Sequence, residues 1–392
     1  MGIQRKLGFL YRILGALGLA AAAAGLLLYS ERVIETGKNA VVLCLELLIP
    51  SLFPFFIVSS LCISLGYADA LGRVLGPVMR TLFRVNGRCA AAFVLGIAGG
   101  YPVGARTTIA LYRSGACSRT EAERLLGFCN NSGPAFILGA VGAGMFGSAR
   151  AGLWLYAAHV LASAVIGIGF RFYKYRDPPQ PERRTDAPQQ ELPRFSSAFV
   201  GAVTDAGAGV LRISAFVILF AVLTNLLFAS GALSALAALI GRAGADMGLD
   251  AVRAEALLRG FLEVTTGLWS LAGASANLTA KLALAACMLG WAGLCVHCQV
   301  LTFLEGSGLA MKPYVVGKLL QAVLSACLIG LFSRLMPLPA ETSSILTDRL
   351  NLLSGASFGS SLRTSLLGSL SFLWIGAVLS LQRVDRTKPE RG

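Results

Sequence analysis

Long apolar runs, broken in places by glycine, proline and asparagine, constrain this chain more than any other feature. The runs are about 20 residues long, the length that an α-helix needs to cross the hydrocarbon core of a bilayer. Of the 392 residues, 55% are hydrophobic and 14% are charged, whereas a soluble domain carries about 25% charged residues. So little charge does not coat a globule of this size. The sequence therefore predicts an all-α polytopic membrane protein.

Eight of the runs are long enough to be full transmembrane spans. The first follows Arg5 and Lys6 and is longer than the apolar core of a signal peptide, about 7–15 residues, so we interpret it as an uncleaved span. The eight predicted spans cover 8–29, 41–65, 126–147, 151–172, 211–229, 280–303, 314–335 and 364–382.

Two further apolar stretches, 90–113 and 253–273, are interrupted near their centres. The first is cut by the run GGYPVG at 99–104 and the second by the run EVTTG at 263–267. Each stretch is long enough for two half-membrane arms and a turn, so we predict two re-entrant hairpins. Irregular backbone at membrane depth is tolerated only where it is buried in protein or lines a cavity.

The net charge of +14 fits membrane orientation, because the cytoplasmic loops of membrane proteins collect Lys and Arg. With the N-terminus inside, the predicted inner loops, the stretch 173–195 and the C-terminal tail hold more basic residues than the outer segments. Both termini are therefore predicted to be cytoplasmic. No basic patch interleaved with aromatic residues occurs, so nucleic acid is not expected as a partner.

The stretch 173–195, rich in Pro, Gln and charge, is predicted to be a disordered cytoplasmic linker between two halves. Each half contains a span, a short amphipathic or apolar stretch (68–84 and 233–242), a hairpin and two more spans. The first hairpin is predicted to enter from inside and the second from outside, which makes an inverted repeat with a site at the repeat interface. The predicted domains are 1–39 (N-terminal span and connector), 40–172 (first repeat), 173–195 (linker), 196–335 (second repeat) and 336–392 (loop, last span and basic tail).

The strongest local signal is the run GGYPVGAR at 99–106. Gly100 and Gly104 permit a tight turn, and Pro102 ends a helix. A turn at membrane depth would leave a helix N-terminus facing a cavity, which favours an anion, and Arg106 would add a positive charge. We favour a binding site here over the alternative, a kinked helix packed through small residues.

A second polar run, FCNNSGP at 128–134, opens the third predicted span. Asn130, Asn131 and Ser132 are costly in lipid without partners, and an unwound segment would offer amide donors and carbonyl acceptors to a substrate. The alternative is an interfacial helix cap, for which Asn, Ser and Pro are also suited. We favour the binding site because the helix predicted at 118–127 is expected to continue into the span.

The second hairpin carries Glu263, Thr265 and Thr266. An intramembrane carboxylate is a functional candidate by default; it would bind a cation, carry a proton or pair with an arginine. The structural alternative is a salt bridge to Arg259. Gln299, in the sixth predicted span, is costly in lipid and is expected to face the same cavity.

The remaining polar groups receive structural interpretations. Lys281 and Lys318 are expected to extend toward the interface, and His159 has no evident acid–base partner. The run GAGMFG at 142–147 follows no strand and so lacks the context of a dinucleotide-binding loop, and the run CVHC at 295–298 lacks a second pair of zinc ligands. With no nucleophile–base pair, phosphate loop or metal triad, the sequence predicts no catalytic residue, cofactor or metal, and not an enzyme.

These motifs resemble the sporulation integral membrane proteins of the YlbJ (SpoVV) family, which carry the nucleoside recognition, or gate, domain. The resemblance covers roughly residues 40–335. It is specific in the first half and looser in the second. The matching stretches are GGYPVGA at 99–105, SRTEAERLL at 118–126, FCNNSGPAF at 128–136, EVTTG at 263–267 and the segment ending in Gln299 and Val300.

The resemblance implies the fold of concentrative nucleoside transporters, with two opposed hairpins and two unwound helices, in a multi-pass protein of the bacterial cell membrane. For the sporulation members it implies transport of dipicolinate, a small planar dianion, across the outer forespore membrane from mother cell toward forespore. The expected partners are thus a small anionic substrate and the lipid bilayer. The substrate-binding residues expected from the motifs and the resemblance are Gly100, Tyr101, Pro102, Gly104, Arg106, Asn130, Asn131, Ser132, Glu263, Thr265, Thr266 and Gln299.

Two other functions stay open on the sequence: a nucleoside or nucleobase transporter of the same fold, and a non-transporting sporulation membrane scaffold. The sequence also leaves open the coupling ion, the formation of a homo-oligomer, the protonation state of Glu263 and the role of the last predicted span.

Overall fold

The structure, a computed structural model, describes residues 2–177, 193–245 and 249–335. Within these ranges all the regular secondary structure is helical and there is no strand, which confirms the predicted all-α class. The last predicted span, 364–382, and most of the predicted linker, 173–195, lie outside the described residues.

The helices before the linker are α1 (Gly2–Leu28), α2 (Ser30–Leu43), α3 (Ile49–Ser64), α4 (Tyr67–Val78), α5 (Ala90–Gly99), α6 (Val103–Arg113), α7 (Arg119–Leu126) and α8 (Ala149–Phe170). Those after it are α9 (Phe195–Ala229), α10 (Ala232–Ala243), α11 (Ala251–Leu262), α12 (Val264–Ala272), α13 (Leu278–Trp291), α14 (Gly293–Leu304) and α15 (Lys312–Leu335). In the described part of the chain three segments are π-helical: Cys44–Leu48, Met79–Phe83 and Ala135–Met145.

Among the described residues, four helical stretches are long and apolar enough to cross a membrane: α8, α9, Leu278–Leu304 (which combines α13 and α14) and α15. The number rises to six if two bent pairs each count as one span. In the first pair α1 meets α2 at 91°, and in the second α3 meets α4 at 85°. The predicted spans at 151–172, 280–303 and 314–335 coincide with three of these stretches.

The two predicted hairpins are each a pair of short helices packed against one another. In the first, α5 and α6 are separated by residues 100–102; in the second, α11 and α12 are separated by Glu263 alone. Both interruptions therefore fall inside the sequence runs that predict them.

The expected continuity of the helix at 118–127 with the following span is wrong. Helix α7 ends at Leu126, and the π-helical segment begins only at Ala135. Two local causes break the helix: the residue before Pro134 is biased away from helical backbone, and the Asn131 side-chain amide donates to the Phe128 carbonyl at 3.0 Å, in competition with helical hydrogen bonding.

Buried Arg124 fixes the helix that leads into this break. Its guanidinium donates to the carbonyl of Arg84 at 2.7 Å, and to those of Tyr173 and Lys174, both at 2.9 Å, and Asp177 at 3.2 Å. One side chain thus satisfies carbonyl groups that follow the π-helical segment Met79–Phe83 and carbonyl groups that follow α8. These hydrogen bonds therefore fix the end of α7, where the non-helical segment 127–133 begins.

Glu123 adds a link between the two halves. Burial alone would raise the pKa of its carboxyl, but hydrogen bonds from Lys174 and Arg119, among others, outweigh burial and lower the pKa. The same carboxylate accepts the backbone N–H of Ala310 at 3.3 Å, just before α15. The charged form is thus the one that joins α7 to the second half.

Glycines let the surrounding helices approach the broken segment at backbone distance. A Cβ at Gly96 or Gly104, on the two arms of the first hairpin, would overlap the carbonyl oxygen of Cys129. A Cβ at Gly317, on α15, would likewise overlap the carbonyl oxygen of Gly127. The break is therefore enclosed by the first hairpin on one side and by α15 on the other.

The substitution Gly104→Ala is expected to destabilise the protein by about 1–3 kcal/mol, because its new methyl group forces the hairpin away from Cys129. The measurement is the thermal melting midpoint of the purified protein in detergent. Gly207→Ala is the control, since its Cβ meets no atom within 4 Å, and it should leave the midpoint unchanged or raise it. Equal midpoints for the two variants would contradict this packing.

Candidate functional site

The turn of the first hairpin, residues 100–102, contacts the backbone of the non-helical segment 127–133 that follows α7, called here the α7 break. Gly100 has φ 81°, a conformation that favours glycine. A Cβ on it would lie 2.9 Å from the backbone nitrogen of Gly133. These two irregular segments, 100–102 and 127–133, therefore form one contiguous patch of non-helical backbone.

A second such pair occurs in the other half. Glu263 is extended, with φ −143° and ψ 119°, and it separates α11 from α12. Opposite it, Ala292, with φ 72°, separates α13 from α14, and Gly293, the first residue of α14, has φ 81°. A Cβ on Gly293 would lie 3.1 Å from the backbone nitrogen of Val264. Each hairpin turn thus packs against an interrupted helix.

A cavity of about 140 Å³ lies where the two pairs face each other. Its walls are mainly apolar and come from both halves, for example Phe55 before the linker and Ile213 after it. The polar side chains that line it are Tyr101, Ser132, Glu263, Thr265 and Gln299. An apolar cavity with a few convergent polar groups is the usual form of a small-molecule site.

Two hydroxyl groups in the cavity wall have no hydrogen-bond partner in the described part of the protein: the Tyr101 hydroxyl and Ser132 Oγ. Buried polar groups are nearly always paired, and an unpaired one costs about 1–3 kcal/mol. Both groups are therefore candidate contacts for a bound molecule.

The Glu263 carboxylate caps the second hairpin helix. Its two oxygens accept the backbone N–H groups of Thr265 at 2.9 Å and Thr266 at 2.8 Å, so the charge lies at the N-terminus of α12, where it is favourable. The predicted alternative, a salt bridge to Arg259, is not formed, because Arg259 pairs with Glu255 at 2.6 Å. Glu263 therefore combines a structural cap with a place in the cavity wall.

Among the described residues, the Gln299 side chain has one hydrogen-bond donor contact, and it is a weak one. Its amide Nε2 donates to Cys295 Sγ at 3.3 Å, and both residues line the cavity. No described residue donates to the other end of the amide, Oε1, so that oxygen is a candidate contact for a ligand.

The expected binding residues divide into two sets of equal size. Those that line the cavity are Gly100, Tyr101, Ser132, Glu263, Thr265 and Gln299. Those that do not are Pro102, Gly104, Arg106, Asn130, Asn131 and Thr266.

Arg106 is directed away from the cavity. Its guanidinium donates to the Phe56 carbonyl and to Ser60 Oγ, both at 3.2 Å, and its centre lies 4.5 Å from the Phe56 ring centroid. The Arg106 guanidinium, which the sequence suggests as a contact for an anion, therefore binds α3 and does not face the cavity.

Asn130 and Asn131 hold the unwound segment in place. The Asn130 side chain accepts from the Ala105 backbone at 3.4 Å and donates to the Tyr314 hydroxyl at 3.3 Å. Asn131 accepts from Gln321 at 2.8 Å. Their amides thus tie the break to the first hairpin and to α15, one layer behind the cavity.

Sequence reasoning missed two residues of this layer, Lys318 and Gln321. The expectation that Lys318 extends toward the interface is wrong, because it is only 1% exposed. His159, for which no acid–base partner is expected, accepts the Ser132 backbone N–H at 3.0 Å. The sequence did carry a signal, since a lysine and a glutamine three residues apart in an apolar helix lie on one face.

Comparison with known proteins shows which family the chain belongs to. The Gate family, described as "Nucleoside recognition", matches residues 45–169. The sporulation integral membrane protein YlbJ of Bacillus subtilis (strain 168) is 32% identical over 312 residues, or 76% of each chain. The resemblance drawn from the motifs is thereby confirmed. A solved structure of a CNTnw variant in an outward-facing state is similar over 85% of this chain and 87% of that chain. The sequence identity is 16% and the TM-score is 0.44.

The unpaired Tyr101 hydroxyl gives a test of the cavity. Tyr101→Phe is expected to leave the melting midpoint unchanged, since no internal hydrogen bond to a described residue is lost. It is expected to weaken binding of dipicolinate, the ligand that the family resemblance implies, about 3- to 10-fold. Tyr314→Phe is the matched control: it removes a bond to Asn130 and should lower the midpoint. Unchanged dipicolinate affinity in Tyr101→Phe would exclude Tyr101 as a contact.

Proposed function

Because the chain belongs to the family of the sporulation integral membrane protein YlbJ, we propose that it is a membrane transporter for a small organic anion, dipicolinate. In this proposal it moves dipicolinate across the outer forespore membrane, from mother cell toward forespore. The observation that carries the proposal is the cavity at the meeting point of two interrupted helix pairs, one from each half. The substrate itself is taken from the family resemblance.

The location of the cavity suits transport better than a purely structural role. Broken helices that meet near the centre of a membrane protein recur in secondary transporters, where movement of one half against the other opens a central site to each side in turn. A scaffold has no need of unpaired hydroxyl groups such as those of Tyr101 and Ser132, whose burial is costly.

The charge of the cavity favours a second candidate, a neutral nucleoside or nucleobase. Of the described residues that line the cavity, none is a lysine or arginine and one, Glu263, is a carboxylate. Hydroxyl, amide and carboxylate groups suit the hydroxyl and amide groups of such a ligand. A dianion, by contrast, needs positive charge from elsewhere in the protein or from a co-transported cation.

Uptake by proteoliposomes separates the candidates. The proposal predicts saturable uptake of labelled dipicolinate that excess unlabelled dipicolinate abolishes and nucleosides do not. Protein-free liposomes and liposomes with the double variant Tyr101→Phe, Ser132→Ala are the controls. Uptake of labelled nucleosides without competition from dipicolinate would establish the second candidate. Uptake of neither would leave the scaffold.

Spores provide an independent test of the direction of transport. A strain that lacks the protein but retains dipicolinate synthesis in the mother cell should form spores with strongly reduced dipicolinate, restored by the wild-type protein. Normal spore dipicolinate in that strain would contradict the proposal.

A further inference from the structure

Lys318 is an ionisable group that does not itself line the cavity. It lies in the first third of α15 and is 1% exposed. Its ammonium donates to the Asn130 carbonyl at 3.0 Å and to Gln321 Oε1 at 2.8 Å, and it lies 5.7 Å from the centroid of the Tyr101 ring. Its hydrogen-bonding partners are therefore neutral oxygens and its third contact is an aromatic face.

Within the described ranges no carboxylate forms an ion pair with this ammonium; the five described salt bridges are Arg88–Asp69, Arg119–Glu123, Lys174–Glu123, Arg253–Asp250 and Arg259–Glu255. Lysine is almost never fully buried unless it is paired, and an ionisable residue inside a membrane protein is a functional candidate by default. Structure alone does not require the charge, since a neutral amide would also donate to the Asn130 carbonyl.

Only one layer of protein separates Lys318 from the cavity. Its two first-half contacts are Tyr101, which lines the cavity, and Asn130, two residues before Ser132 in the segment that also lines it. A charge in a low-dielectric interior acts well beyond contact distance: about 10 Å from an anion, at an effective dielectric constant of about 20, it changes affinity roughly tenfold.

We propose that Lys318 determines the charge selectivity of the cavity: its ammonium, behind Tyr101 and the unwound segment, supplies the positive potential that favours an anionic substrate. It acts on the substrate through space and not by contact. The inference rests on the proposed function, since it concerns the same site and names the residue that makes an anion acceptable beside Glu263. It also removes the need for Arg106, which is directed elsewhere.

The test compares dipicolinate with its neutral diamide, a ligand of similar shape without charge, by equilibrium binding to purified protein in detergent. Lys318→Gln removes the charge and keeps a donor for Asn130; Lys318→Met removes both; Lys318→Arg keeps the charge. Gln321→Met is the structural control, because it removes a hydrogen-bond partner of Lys318 and Asn131 without a change in charge.

The expected result is a loss of about tenfold or more in dipicolinate affinity for Lys318→Gln, with diamide affinity changed less than about threefold, and recovery of the preference for the dianion in Lys318→Arg. Gln321→Met should change both affinities by similar factors. The proposal is overturned if Lys318→Gln weakens both ligands equally or leaves the preference for the dianion intact. If Lys318→Gln does not fold, the same comparison in Lys318→Met decides it.

Failure of the inference is distinguishable from failure of the proposed function. A wild-type protein that prefers dipicolinate over the diamide, together with a Lys318→Gln variant that keeps this preference, overturns the role of Lys318 alone. A wild-type protein that binds no dipicolinate overturns both.

Discussion

The structure depends on one constraint: every helix break in an apolar interior exposes backbone N–H and C=O groups that must find partners. The α7 break meets this constraint through side chains from other helices. His159 accepts the Ser132 N–H, Lys318 donates to the Asn130 carbonyl, and Ser163 donates to the Phe128 carbonyl at 2.7 Å. These side chains therefore stabilise the α7 break in one conformation, and the break forms a fixed part of the cavity wall.

The two halves meet the same constraint by different means. In the first half the partners come from α8 and α15, which pack against the broken segment from behind. In the second half Glu263 caps α12 with its own carboxylate, and that carboxylate also lines the cavity. A basic side chain therefore lies behind one wall, at Lys318, and an acidic side chain lies at the other, at Glu263. This polarity gives a single small cavity two chemically distinct sides.

The sequence predicted the interruptions well, because glycine and proline act on their own backbone. The breaks at 100–102 and at Glu263 fall inside the predicted runs, and Ser132 and Gln299 line the cavity. The sequence did not predict the directions in which the long side chains of Arg106 and Lys318 point. Arg106 turns toward Phe56 and Ser60, and Lys318 turns inward to Asn130, since these partners are at least 46 residues away in the chain and become neighbours only through packing.

The central claim is that the paired helix breaks form one substrate site, and an experimental structure with dipicolinate tests it most directly. A cryo-electron microscopy map of the protein in saturating dipicolinate should show density in the cavity, in contact with the Tyr101 and Ser132 hydroxyl groups and within reach of Gln299. An empty cavity under conditions where binding is measured, or ligand density at another place on the protein, would contradict the account.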